Sequence, residues 1–164
     1  MYDQAYKLAH YIKNHVTIKT LQVVEDKDIE NNHTIIFMFP ISSQTIPSCM
    51  LDYMKNNEAL MNNKNIYSVL YCDEYETDYC DYADEILSLY CTKTHALYKG
   101  SLKIGAYFLL DHIPYTWRVS NTLKSFASYI KKEKESALDI TFFSKNQFIK
   151  EGNKFWEKAY KSKK

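Results

Sequence analysis

The sequence predicts an α/β fold, a three-layer arrangement with a mostly parallel sheet and helices on both faces, in a single domain over residues 1–164. Three observations carry this reading. Thr34–Phe39 (TIIFMF) is a bare apolar run without polar alternation, the pattern of a strand covered on both faces, and Asn65–Cys72 (NIYSVLYC) is a second run of that kind. The first run stops at Pro40, crosses a short polar loop and re-enters a helix through Pro47, as buried parallel strands do at the edge where ligands bind. Around these runs, stretches with helical spacing alternate with β-prone ones, so successive strands read as joined by crossover helices.

Taken in order, Tyr6, Leu8, Ala9, Tyr11 and Ile12 lie at helical spacing and predict an amphipathic helix over 2–15. Thr20–Val24 is a short β-prone run, and Glu25–His33 (EDKDIENNH) a polar connection with turn residues. After the Thr34–Phe39 strand, Pro47 suits the first turn of a helix running to about Leu60, with Thr45 or Ser48 as its cap. The Asn65–Cys72 strand leads to a helix over about 79–94, with Ala83, Ile86, Leu87 and Tyr90 on one face. Residues 97–110 hold another strand, in which Gly100 and Gly105 allow a bend or a close backbone approach. Two helices end the chain: 116–132, with Leu123, Phe126, Ala127 and Ile130 inward, and 145–161, carrying Phe148, Phe155, Trp156 and Tyr160.

Composition narrows the function classes. A net charge of +1 supplies no global field for nucleic acid or a membrane surface. No apolar run reaches the ~18 residues of a membrane span, and MYDQAYKLAH lacks the apolar core of a signal peptide, so a cytoplasmic protein is expected. The four cysteines, Cys49, Cys72, Cys80 and Cys91, read as reduced thiols and small buried hydrophobes. A zinc site would have to use Cys72, Cys80, Cys91 and His95, which lack the tight spacing structural zinc favours.

The segment DIENNHTIIFMFPISSQTIPSCMLDYM resembles the second cofactor loop of the flavodoxin-like NAD(P)H-dependent flavin oxidoreductases, where a strand of the type "IIFxFP" leads through a loop and "MP" into a helix. NIYSVLYCDEYE resembles that family's next strand and loop, ADEILSLYCTKTHALYKGSLKIGA its following helix and "GxxIG" strand, and the tail from TLKSFASYI its C-terminal helix pair. The likeness covers most of residues 6–162 and rests on the order and spacing of these segments. It implies a flavodoxin-like sandwich. It also implies an FMN site in which Ile41, Ser42, Ser43, Gln44 and Thr45 line the flavin ring and Cys72, Asp73 and Tyr75 form the facing loop. NAD(P)H would be the electron donor.

Two departures qualify that implication. Flavodoxin-like chains open with a central strand and a Ser/Thr/Gly-rich loop that holds the FMN phosphate at a helix N-terminus. Here MYDQAYKLAHYI resembles the first helix itself, Tyr2–Ala5 contain no Gly, Ser or Thr, and Asp3 would repel a phosphate. Asp73 also stands where the family often has Gly. FMN binding is therefore expected to be weakened or lost. In the strand order 2-1-3-4-5 the absent strand lies mid-sheet, leaving a gap beside Thr34–Phe39. Either Thr20–Val24 closes onto that strand, or it detaches, or another chain supplies a strand in a homodimer or strand-sharing complex.

The remaining candidates have plain structural readings. The acidic group from Asp73 to Glu85 reads as a solvated face that complements a helix N-terminus, with a basic partner or a cation as the functional alternative. The lysines of the last helix read as a solvated face. His95 and His112 have no partner at a catalytic spacing, and none of the nucleophile, phosphate-loop or metalloprotease motifs occurs. Two functions stand: an FMN-dependent oxidoreductase with a degenerate site, or a binding and assembly module that has lost its cofactor.

Overall fold

The computed structural model describes residues 2–12, 16–109, 116–141 and 144–161. Its α-helices are α1 (Tyr2–Ile12), α2 (Asp26–Glu30), α3 (Ser48–Asn56), α4 (Asp81–Thr94), α5 (Thr116–Lys131) and α6 (Lys145–Lys161). The strands are β1 (Thr34–Pro40), β2 (Asn65–Tyr71), β3 (Leu97–Gly105) and β4 (Ser136–Thr141). They form one sheet in the order β1-β2-β3-β4, and every pairing is parallel. The architecture is α/β and consistent with a flavodoxin-like three-layer sandwich.

Each strand feeds one side chain to each layer in turn. Phe37 and Phe39 of β1 join Ile66 and Leu70 of β2 in a core with Ile29 of α2, Met50 and Met54 of α3, and Ala83 and Leu87 of α4. On the opposite face Tyr67, Val69, Leu102 and Ile104 pack with Leu8 and Ile12 of α1 and Leu123, Phe126 and Ile130 of α5. Every residue of β2 is buried, as its position between two strands and two helical layers requires. Gly100 sits at a register shift between β2 and β3 with φ +105°, and a Cβ there would lie 1.8 Å from the Ser136 carbonyl oxygen. Only glycine fits.

Four expectations need correction. Thr20–Val24 forms no strand: Leu21–Val23 is a turn of 3₁₀ helix, with Leu21 and Val24 tucked against the α2–α4 core. Strand propensity decides little without a partner edge. Within the polar connection, Asp26–Glu30 closes a helical turn because Glu25 and Asp28 make a reciprocal capping box. Neither Thr45 nor Ser48 caps α3. Pro47 is its N-cap, no side chain bonds there, and the helix stops at Asn56 before a 3₁₀ turn at Glu58–Leu60. Finally, Ser136–Thr141 is a fourth strand. Its alternation is half-buried, with Leu138 and Ile140 against the core and Ala137 and Asp139 exposed, so it carries no bare apolar run. Leu110, His112 and the helix end at 13–15 lie outside the described residues.

With Thr20–Val24 detached, β1 is an edge strand. Asn65 N–H donates to the His33 carbonyl and Ile41 N–H to the Tyr71 carbonyl, so the odd-numbered residues of β1 turn their backbone groups toward β2. Thr34, Ile36 and Met38 turn theirs outward. Pro40, also outward, has no N–H to lose.

Candidate functional site at the carboxyl ends of the strands

Parallel strands deliver their loops to one end, where Ile41, Cys72, Ala106 and Thr141 end or follow β1 to β4. Ile41 is buried and meets Cys72 and Cys80 in the α2–α4 core. The chain then reverses: Thr45 N–H and its hydroxyl both donate to the Ser42 carbonyl at 3.2 Å. Ser43 (φ 53°) and Gln44 (φ 62°) both occupy the left-handed region, a turn geometry that ordinarily selects Asn-Gly. Holding two non-glycine residues there costs on the order of 1–3 kcal/mol each. The side chains of Ser42, Ser43, Gln44 and Thr45 are exposed.

The loop after β2 is strapped across the sheet end. Cys72 N–H donates to the Ile104 carbonyl at 3.0 Å, Tyr107 N–H to the Cys72 carbonyl at 3.0 Å, and Ala106 N–H to the Glu74 carbonyl at 2.6 Å. From β4, the Thr141 hydroxyl donates to the Tyr75 carbonyl at 2.8 Å. Gly105 makes this strapping feasible, since a Cβ there would come 2.7 Å from the Tyr75 carbonyl oxygen. The Cys72 thiol points at the Glu76 carbonyl, 3.5 Å away. A hydrogen bond from the Cys80 thiol holds Cys72 below the usual thiol range, against burial and the neighbouring Glu74 and Asp73. Cys80 is pushed far up by the same contact and by burial.

Tyr75 packs inward, its ring 5.4 Å from that of Phe148 in a chain of rings that continues through Phe108 to Phe155 and Trp156. These rings wall a cleft of about 580 Å³, with Asp73, Glu74, Glu76 and Lys145 among its polar lining. The structure thus brings Cys72, Asp73 and Tyr75 together beside α6, whereas Ser42–Thr45 do not line this cleft. Nearby, the Tyr71 hydroxyl is buried without a hydrogen-bond partner among the described residues, its ring 4.7 Å from Tyr107.

One polar group had no sequence signature. Beneath α4, the Tyr98 hydroxyl donates to Asp84 and is 2.9 Å from Ser68 Oγ. Lys103 reaches Asp81 at 2.7 Å and Asp84 at 3.4 Å. Two members of the acidic group are therefore ion-paired to β3, while Asp73, Glu76, Asp78 and Glu85 are exposed. Among the described residues no three His, Cys, Asp or Glu side chains are grouped to hold a metal ion, and no helix is long and apolar enough to cross a membrane. No protein-family model matches the chain, and no curated protein does.

Proposed function

We propose that this is a flavodoxin-like relative of the NAD(P)H-dependent FMN oxidoreductases with an incomplete FMN site, acting in the cytoplasm as a binding and assembly module. The observation that carries the reading is the open edge of β1, where the outward backbone groups of Thr34, Ile36 and Met38 have no strand beside them among the described residues. A flavodoxin-like sheet has its phosphate-loop strand at that place. Thr45 N–H is already bonded within its turn, and Asp73, Glu74 and Glu76 would face a dianionic phosphate with carboxylates. An unpaired strand edge is instead a template for another strand, in a homo-oligomer or a strand-sharing complex.

One observation favours the flavoprotein oxidoreductase reading: the strained Ser43–Gln44 pair, since backbone strain collects at ligand sites. In that case FMN itself supplies the redox chemistry, with Ile41–Thr45 and Cys72–Tyr75 orienting it. Titration of the purified protein with FMN, read by flavin fluorescence and by melting temperature, separates the two. The module reading expects neither signal to move. A ligand at 100 times its Kd stabilises a native state by about 2.7 kcal/mol, so a rise of several degrees would decide for the flavoprotein.

A further inference from the structure

We propose that the open edge of β1 pairs with the same edge of a second copy of this chain, antiparallel across a two-fold axis at Ile36, fusing two four-stranded sheets into one. The proposal rests on the reading of this edge as an assembly surface and adds its partner and register.

The register follows from which backbone groups point outward. Thr34, Ile36 and Met38 each present one N–H and one C=O away from β2. In an antiparallel ladder, facing residues of this kind exchange two hydrogen bonds. With the axis at Ile36, Thr34 faces Met38 of the second copy, Ile36 faces Ile36, and Met38 faces Thr34. All outward groups of the three residues are then used, in about six bonds. Pro40 falls opposite Asn32, before the strand begins, so its missing N–H is never called upon. Shifting the pairing by one step toward the C-terminus sets Thr34 against Pro40 and orphans the Thr34 carbonyl. A parallel partner strand would likewise leave one of its carbonyls facing Pro40. Self-pairing about Ile36 uses every outward group of Thr34, Ile36 and Met38 and sets no strand carbonyl against Pro40; the outward Pro40 carbonyl faces Asn32, whose N–H already donates to the Ile29 carbonyl.

The side chains agree with this partner. No charged residue interrupts Thr34–Pro40, and the β1–β2 register runs without a bulge. Of the usual devices that keep an edge strand monomeric, an inward charge, a lysine and a bulge are missing from the strand, and its one proline, Pro40, stands at the last position. Ile36 and Met38 lie on the α1–α5 face and Ile35 on the other, each half-buried in one copy, so pairing would cover apolar surface on both faces.

The test combines sedimentation equilibrium over a wide concentration range with amide exchange of β1 followed residue by residue. The expected mass is twice 19.4 kDa at high concentration, falling to one copy on dilution. In the dimer the amides of Thr34, Ile36 and Met38 are protected, and in the monomer they exchange fast while those of Ile35, Phe37 and Phe39 stay protected by β2. Thr34→Pro removes an outward donor at the first strand position, where proline is tolerated, and by symmetry deletes two bonds. It should weaken the dimer about tenfold or more with the monomer fold intact. Ile36→Pro should abolish the dimer, circular dichroism checking its fold. A chain that stays monomeric at high concentration with the three outward amides exchanging fast overturns self-pairing yet leaves the edge open to a different strand. Outward amides protected in the monomer mean that this chain covers its own edge, and both readings fall. A dimer equally tight in Thr34→Pro uses another surface and also overturns the proposal.

Discussion

Tyr98→Phe is the most informative single change in this molecule. Tyr98 has one hydroxyl proton, and it goes to Asp84, so at 2.9 Å Ser68 must donate to the Tyr98 oxygen. Burial pushes the phenol upward, the Asp84 contact adds to that, and donation from Ser68 and Ser101 works the other way. Deleting the hydroxyl removes a charge-assisted hydrogen bond, about 1.5–3 kcal/mol, and strands the Ser68 hydroxyl, another ~1–3 kcal/mol. Ser68 is fully buried, out of reach of bulk solvent. Asp84 keeps Lys103 at 3.4 Å and is partly solvated, which places its share at the low end. A net loss of about 2–3 kcal/mol is expected, or roughly 5–10 °C in Tm for a chain of this size.

The companion variant Ser68→Ala should cost about 1 kcal/mol, since it removes one neutral bond. In the double variant Ser68 is no longer there to be stranded, and Ser101 loses its acceptor in Tyr98→Phe and in the double variant alike. Its loss should fall about 1 kcal/mol short of the sum of the singles, a coupling that urea unfolding with unchanged m-values resolves. Additive single losses, or a Tyr98→Phe loss below ~0.5 kcal/mol, would refute the assignment of the Ser68 proton.

Three more outcomes are expected. His95 ends α4 in the left-handed region at φ 55°, so His95→Gly should raise stability by about 0.5–1 kcal/mol in the same urea assay, and a loss would mean that the imidazole makes a contact worth more than the strain. Burial carries the Tyr67 phenol, with a smaller push from Glu133, from near 10 to about 12, and carries the Cys91 thiol to about 12. Between those values the folded chain keeps protons that the unfolded chain has lost, so this stability is intact below the unfolded values and is lost as pH rises through about 12. Absorbance at 295 nm should therefore show part of the fifteen tyrosines ionising only as the fold is lost, and reversible titration of all of them near pH 10 would contradict it. Of the four cysteines only Cys49 is exposed, so a thiol reagent should label one site at once and the other three on denaturation, with Cys49→Ser deleting the fast phase.

What could be read from the chain depended on the range of the interactions. β2 was legible because burial on both faces writes itself into seven consecutive residues, and α5 because its apolar stripe repeats at helical period. β4 was not. Six residues with one exposed Asp satisfy the alternation of a half-buried strand, yet so would many loops, and only pairing with β3 decides. Thr20–Val24 failed in the opposite sense, with suitable residues and no edge to receive them.

The same division holds at the carboxyl edge. Gly105 could be flagged as a close approach, and the structure supplies the Tyr75 carbonyl that it approaches. Tyr75 itself, expected in the loop facing the flavin, packs on Phe148, a residue more than seventy positions away that no local pattern connects to it. The Lys103–Asp81–Asp84–Tyr98 group was illegible for that reason too: its members are ordinary one by one, and only the packing of α4 on β3 makes them a unit. An edge differs from all of these, because it is defined by what does not pair. The outward parity of Thr34, Ile36 and Met38 follows from two hydrogen bonds at the ends of β1, and the position of Pro40 in that parity selects one register for a partner. A proline one residue earlier would have pointed toward β2 and broken the sheet. At position 40 it leaves the β1–β2 ladder whole and limits only what can be added outside it.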